Sequence, residues 1–138
     1  TPITSIPENL FAGINGAPAS YMFDSTFFNT KITSIPDGLF AGINGVPAGS
    51  MFASTFYNTD ITSIPENLFA GIDTTAPLQN YSFDSTFYGC SALTGPSARI
   101  NGQYLYEIWP NATSAQVGDM YHNATGLTDY ANIPGVWK

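Results

Sequence analysis

A unit of about 29 residues that returns almost unchanged constrains this chain more than any other feature. Residues 3–14 read ITSIPENLFAGI, residues 32–43 read ITSIPDGLFAGI, and residues 61–72 repeat the first string letter for letter. Residues 21–29 (YMFDSTFFN), 50–58 (SMFASTFYN) and 81–89 (YSFDSTFYG) also superpose. Ile3, Ile32 and Ile61 are evenly spaced, and Phe23 and Phe52 keep the same interval, whereas Phe83 arrives late, so the third linker, residues 73–80, carries a two-residue insertion. A unit this short cannot bury its own aromatic face, and copies in tandem do so by stacking, with stability supplied by neighbour contacts.

Three parts are expected in each unit. The β-branched Ile-Thr-Ser-Ile segment favours extended backbone and predicts a short strand pairing in parallel with its copies. Ser5, Ser34 and Ser63 stand three residues before Glu8, Asp37 and Glu66, with proline between. That is the spacing of a capping box opening a helical turn, closed by Gly13, Gly42 and Gly71 in the left-handed conformation. The third part places Phe23 and Phe27, Phe52 and Phe56, and Phe83 and Phe87 four apart, which on a helix lie on one face and predict a helix of about three turns. Stacked copies align Phe11 with Phe40 and Phe69, Phe23 with Phe52 and Phe83, and Phe27 with Phe56 and Phe87. The expected fold class is an α/β repeat solenoid in which short parallel strands alternate with short helices, closed by a mostly helical C-terminal cap.

The span 1–96 is read as three tandem repeats, each of about 29 to 31 residues, and the span 97–138 as a degenerate repeat and cap. Helices are expected near residues 104–109 (YLYEIW) and 114–123 (SAQVGDMYHN). Leu127-Thr128 and residues 133–137 (IPGVW) echo the repeat string.

Charge narrows the function classes. Three basic residues, Lys31, Arg99 and Lys138, face ten acidic ones, for a net charge of -7; no basic patch can neutralise a run of phosphates, which argues against nucleic acid and against docking to anionic lipid. No apolar run reaches the 18 or more residues of a spanning helix, so direct membrane insertion is not expected. Charged residues are 9% of the chain against a usual figure of about 25%. Ser, Thr, Asn and Gly keep the surface wet instead, a composition common in extracellular repeat domains. Cys90 is the sole cysteine, which rules out an internal disulfide and a multi-cysteine metal site; it reads as a small buried hydrophobe. No export signal is present in this stretch of sequence.

The string ITSIPENLFAGI resembles the I-x-x-I-P-x-x-L-F-x-G-L portion of leucine-rich repeats, and MFASTFYN with FYGCSALT resembles the helix and turn of BspA-like bacterial surface repeats. The resemblance covers residues 1 to about 96. The L-x-x-L-x-L-x-x-N strand consensus is missing, so a regular horseshoe with a broad concave sheet is not expected. What the resemblance implies is an exported or surface-displayed bacterial protein used in adhesion or host interaction.

Chemistry-bearing residues are few. His122, the single histidine, and Cys90 lack any flanking catalytic motif. Glu8, Asp37 and Glu66 recur because the repeat recurs, and capping accounts for them. Asp24 and Asp84 have Ala53 as their counterpart, which breaks a metal ladder. Asn15 and Asn44 align with Asp73 as turn residues. Asn111 and Asn123 open Asn-x-Thr triplets and match the glycosylation acceptor pattern. No phosphate-binding glycine loop is present, and no cofactor is expected. The remaining candidates are aromatic: Phe28, Tyr57 and Tyr88, aligned as a strip, together with Tyr104 and Tyr106.

The expected function is therefore a non-enzymatic extracellular or cell-surface domain that binds a protein or glycan ligand. The alternative is a structural subunit that self-associates through an uncapped N-terminal repeat and stacks into a filament.

Overall fold

A computed structural model describes residues 3–138. Alternating backbone bonds organise it. In the first copy the amides of Met22, Asp24, Thr26 and Phe28 bond to the carbonyls of Ala19, Tyr21, Phe23 and Ser25, each closing a four-residue turn. The intervening amides of Tyr21, Phe23, Ser25, Phe27 and Asn29 leave the layer and bond to Gly49, Met51, Ala53, Thr55 and Tyr57 of the second copy at 2.8 to 3.0 Å. The second copy donates in the same way to the third, from Ser50, Phe52, Ser54, Phe56 and Asn58 to Asn80, Ser82, Asp84, Thr86 and Tyr88. The third donates to Ala115, Gln116, Gly118, Met120 and His122, so residues 115–122 form a fourth layer.

This pattern corrects the expected fold class. Regular structure among the described residues amounts to one antiparallel hairpin, β1 (Arg99–Ile100) and β2 (Gln103–Tyr104), the four-residue helices α1 (Leu105–Ile108) and α2 (Ser114–Val117), and two 3-10 turns, Tyr130–Asn132 and Gly135–Trp137. The α/β solenoid of alternating parallel strands and helices, leucine-rich-repeat-like with a mostly helical cap, is not formed; most of the chain is turns and loops.

The physical reason lies in every fourth residue. Tyr21, Ser25 and Asn29 have φ of 62°, 56° and 57°; Ser50, Ser54 and Asn58 have 53°; Tyr81, Ser85 and Gly89 have 61°, 55° and 72°. A left-handed residue every fourth position ends any α-helix. The four-residue spacing of Phe23 and Phe27 is thus the period of a spiral of turns, which a helical period of 3.6 resembles over so short a span. Half the amides are released to the next layer, an arrangement a helix would forbid.

The Ile-Thr-Ser-Ile segments form no strand ladder. Neighbouring copies share isolated bonds there, Lys31 to Ile3, Asp60 to Ile32, Thr62 to Thr33 and Thr94 to Thr62, and among the described residues parallel bridges occur only at Gly16 with Ile43 and Gly45 with Ile72. The capped helical turn is also absent: Leu10, Ala12 and Ile14 close successive turns onto Pro7, Asn9 and Phe11. Gly13, Gly42 and Gly71 are not left-handed. Gly42 and Gly71 are required for another reason, since a Cβ there would overlap the carbonyl oxygens of Ile14 and Ile43 in the layer before.

The aromatic columns are the core. Phe23, Phe52 and Phe83 stack with 5.7 Å between centroids, and Phe27, Phe56, Phe87 and Tyr121 at 5.6, 5.5 and 5.8 Å. Phe11, Phe40 and Phe69 rise at 6.1 Å per step, and Phe40 tilts against both Phe23 and Phe52. Burial of each such ring contributes about 1.5 to 3 kcal/mol. Threonine hydroxyls tie the layers between the rings: Thr55 donates to the Phe23 carbonyl at 2.9 Å and Thr86 to that of Phe52 at 3.0 Å. Residues 133–138 close the far end, where the buried Trp137 offers its carbonyl to the Tyr121 amide at 2.9 Å.

Candidate functional site

The layer spacing that builds the core also lines up the residues one position further along. Phe28 stacks on Tyr57 at 4.6 Å between centroids, and Tyr57 on Tyr88 at 4.5 Å with the planes 1° apart. His122 of the fourth layer continues the row on Tyr88 at 4.7 Å. Three of the sequence candidates thus form one strip, and His122, read from the sequence as a lone histidine, is its fourth ring. The sequence signal for it is the four-residue spacing of Asp119 and Asn123, which matches that of Ser85 and Gly89; the structure places both left-handed, at φ 54° and 64°.

Because the rings lie face to face, both faces of Tyr57 and Tyr88 and one face each of Phe28 and His122 are spent on their neighbours. Their edges and the hydroxyls of Tyr57 and Tyr88 remain for a partner, and ring edges carry the positive part of the aromatic quadrupole. Phe28 is exposed, while Tyr57, Tyr88 and His122 are half-buried. Partial desolvation, then Tyr88 and the Asp119 carboxylate, push the Tyr57 phenol above its usual value. His122 Nδ1 lies 3.3 Å from the Lys138 carbonyl oxygen and 3.9 Å from Asp119 Oδ1.

Tyr104 and Tyr106 pair with each other at 5.2 Å, and no described ring links them to the strip. The Tyr106 hydroxyl is committed inward, donating to Asp129 Oδ2 at 3.0 Å. Asp129, which sequence reasoning missed, is buried and also accepts from the Ser97 amide at 2.9 Å and hydroxyl at 2.6 Å. Three donors offset the desolvation of one carboxylate. Desolvation first, then that carboxylate, raise the Tyr106 phenol well above its ordinary value.

A cavity of about 380 Å³ opens between the lengthened third linker and the segment after α1, lined among others by Thr74, Pro77, Trp109 and Asn111. Trp109 Nε1 donates to the Ala76 carbonyl at 2.9 Å and Gln116 Nε2 to that of Leu78 at 2.9 Å, so linker and cap are bonded across it. No charged group lines it.

The other candidates take structural places. Cys90 is fully buried, its thiol set against the Phe56 carbonyl at 3.0 Å and the Thr59 hydroxyl at 3.5 Å, and burial pushes its pKa up, the reverse of an activated nucleophile. Glu8 and Asp37 are exposed, and Glu66 lies 3.6 Å from Arg99. Asn111 and Asn123 are exposed. No group of three or more His, Cys, Asp or Glu suited to a metal ion occurs among the described residues. No described helix is long and apolar enough to cross a membrane. Comparison with protein-family models, with curated proteins and with solved structures finds no match for this chain.

Proposed function

We propose that this chain is a non-enzymatic binding module, displayed outside the cell as its BspA-like resemblance implies, and that it holds a protein partner along the strip of Phe28, Tyr57, Tyr88 and His122. The observation that carries the reading is the continuity of that strip through four layers at 4.5 to 4.7 Å per step. Stacked rings give a large, rigid contact area at little entropic cost on binding, the property that makes tyrosine common in contact surfaces. A protein fits better than a glycan, because a sugar ring packs on an open aromatic face and the inner faces here are closed by their neighbours.

The test is retention of the chain on panels of extracellular proteins and of glycans, repeated with Phe28→Ser, Tyr57→Ser and Tyr88→Ser combined. Retention on a protein that falls at least about tenfold in the variant, corresponding to one or two contact residues of roughly 1.4 kcal/mol or more, supports the reading. Retention unaffected by the variant, or confined to glycans, sinks it.

A further inference from the structure

The backbone of the first layer presents a one-sided row of hydrogen-bonding groups. The carbonyls of Ser20, Met22, Asp24, Thr26 and Phe28 occupy the places that Gly49, Met51, Ala53, Thr55 and Tyr57 hold one layer on, where each accepts an amide. No described group donates to any of the five. The alternate amides are closed into turns or already given to the second layer. A β-strand edge alternates donors with acceptors; this row carries acceptors alone. Apolar groups share the same layer in the open, with Ile3 57%, Leu10 46% and Tyr21 69% exposed.

We propose that this face docks one further turn layer of the same repeat type, supplied by a polypeptide segment whose alternate amides are unspent. The interior interfaces show the fit: each joins five amides of one layer to five carbonyls of the next, and the first two continue the columns of Phe11, Phe23 and Phe27. Other occupants meet a polar mismatch. Two such faces brought together by a two-fold axis would oppose carbonyls to carbonyls. A complete second copy has its far end closed by residues 133–138, with Trp137 only 1% exposed and bonded to the Tyr121 amide. The partner is a donor-bearing layer with a left-handed residue at every fourth position, filled in this chain mostly by Ser and Asn.

The experiment joins a duplicate of the span 32–60, one full repeat, directly ahead of Ile3, and compares it with the same segment in scrambled order. Hydrogen exchange is followed residue by residue. In the ordered duplicate, the amides corresponding to Ser50, Phe52, Ser54, Phe56 and Asn58 are expected to exchange at least about tenfold more slowly than in the scrambled one, and Tyr21 to lose solvent access. Equal exchange in the two chains overturns the proposal. So does reversible self-association of the unaltered chain that buries Tyr21, since a whole copy would then satisfy the face.

Discussion

Gly42 and Gly71 sit where the backbone of one layer passes closest to the carbonyls of the layer before, whereas at Gly13, the same position in the first copy, a Cβ would meet nothing within 4 Å. Gly42→Ala and Gly71→Ala should each cost about 1 to 3 kcal/mol, because rigid backbone atoms must separate, while Gly13→Ala stays within about 0.5 kcal/mol; urea unfolding of the three variants checks the contrast. The left-handed positions make a second test. Ser54, at φ 53°, should tolerate glycine with no loss, whereas Ser54→Val should cost about 2 kcal/mol or more, since a β-branched side chain is an outlier there. The sequence singled out Gly13, Gly42 and Gly71 alike as left-handed helix closers; none is left-handed, and close approach requires glycine at only the last two. Conformation and close approach leave the same mark on a sequence, a retained glycine, and only the layer-to-layer distance tells them apart. A third residue effect concerns alkali. Tyr121 is fully buried, and desolvation leads the causes that raise its phenol well above the ordinary 10; Tyr106 is raised too. The unfolded chain therefore ionises first as pH climbs past about 10, and stability present below that pH is lost above it. Thermal melts should fall steadily above about pH 10, with ultraviolet absorbance of the phenolate showing two phenols that ionise only on unfolding; two phenols titrating freely in the folded chain would contradict this.

At the scale of elements, the columns were legible and the backbone carrying them was not. Aligning Phe23, Phe52 and Phe83, or Phe27, Phe56 and Phe87, needs only the repeat period, and the rings do stack in those rows. The backbone depends instead on telling a period of 4 from one of 3.6 over a short segment, where two aromatic positions fit both. The distinguishing letters were Ser25, Asn29, Ser54, Asn58, Ser85 and Gly89, residues that favour turns over helix interiors. The candidate strip followed from the same alignment for Phe28, Tyr57 and Tyr88, yet His122 escaped because histidine does not look like tyrosine in a repeat search. The columns also rank the rings. Phe52 is fully buried and packs on Phe23, Phe40, Phe69 and Phe83, so Phe52→Ala should cost about 3 to 5 kcal/mol. Phe28, 42% exposed with Tyr57 on one face, should lose less than about 1.5 kcal/mol on truncation. Equal losses in denaturant melts would mean that the columns do not carry the stability.

The whole molecule has a direction that no single repeat reveals. In the Phe-rich turns the amides that leave a layer all run forward to the next, whereas the bonds from Lys31, Asn44, Asp60 and Asp73 run back to the copy before; the Phe-rich side of the stack is therefore polar along its length and its two ends are chemically unlike. One end shows carbonyls to which no described group donates; at the other, residues 133–138 cover Tyr121 and take its amide. Sequence pattern could not show this, because donor and acceptor belong to every residue alike and only the turn geometry sorts them. Removing residues 133–138 should have two consequences. The fourth layer loses the cover of Trp137, 1% exposed in the intact chain, at a cost of about 3 to 5 kcal/mol by comparison with other buried aromatic truncations. The shortened chain also uncovers the Tyr121 amide and the surface around it, which faces the right way to meet the carbonyl row of another copy. Sedimentation velocity on the folded, shortened chain should therefore show concentration-dependent, head-to-tail association that the intact chain on its own does not show. Substituting Trp137→Ala alone leaves the backbone carbonyl in place, and should lower stability with less association. A shortened chain that stays folded and strictly monomeric would remove the connection between the polarity of the stack and the role of its closing segment.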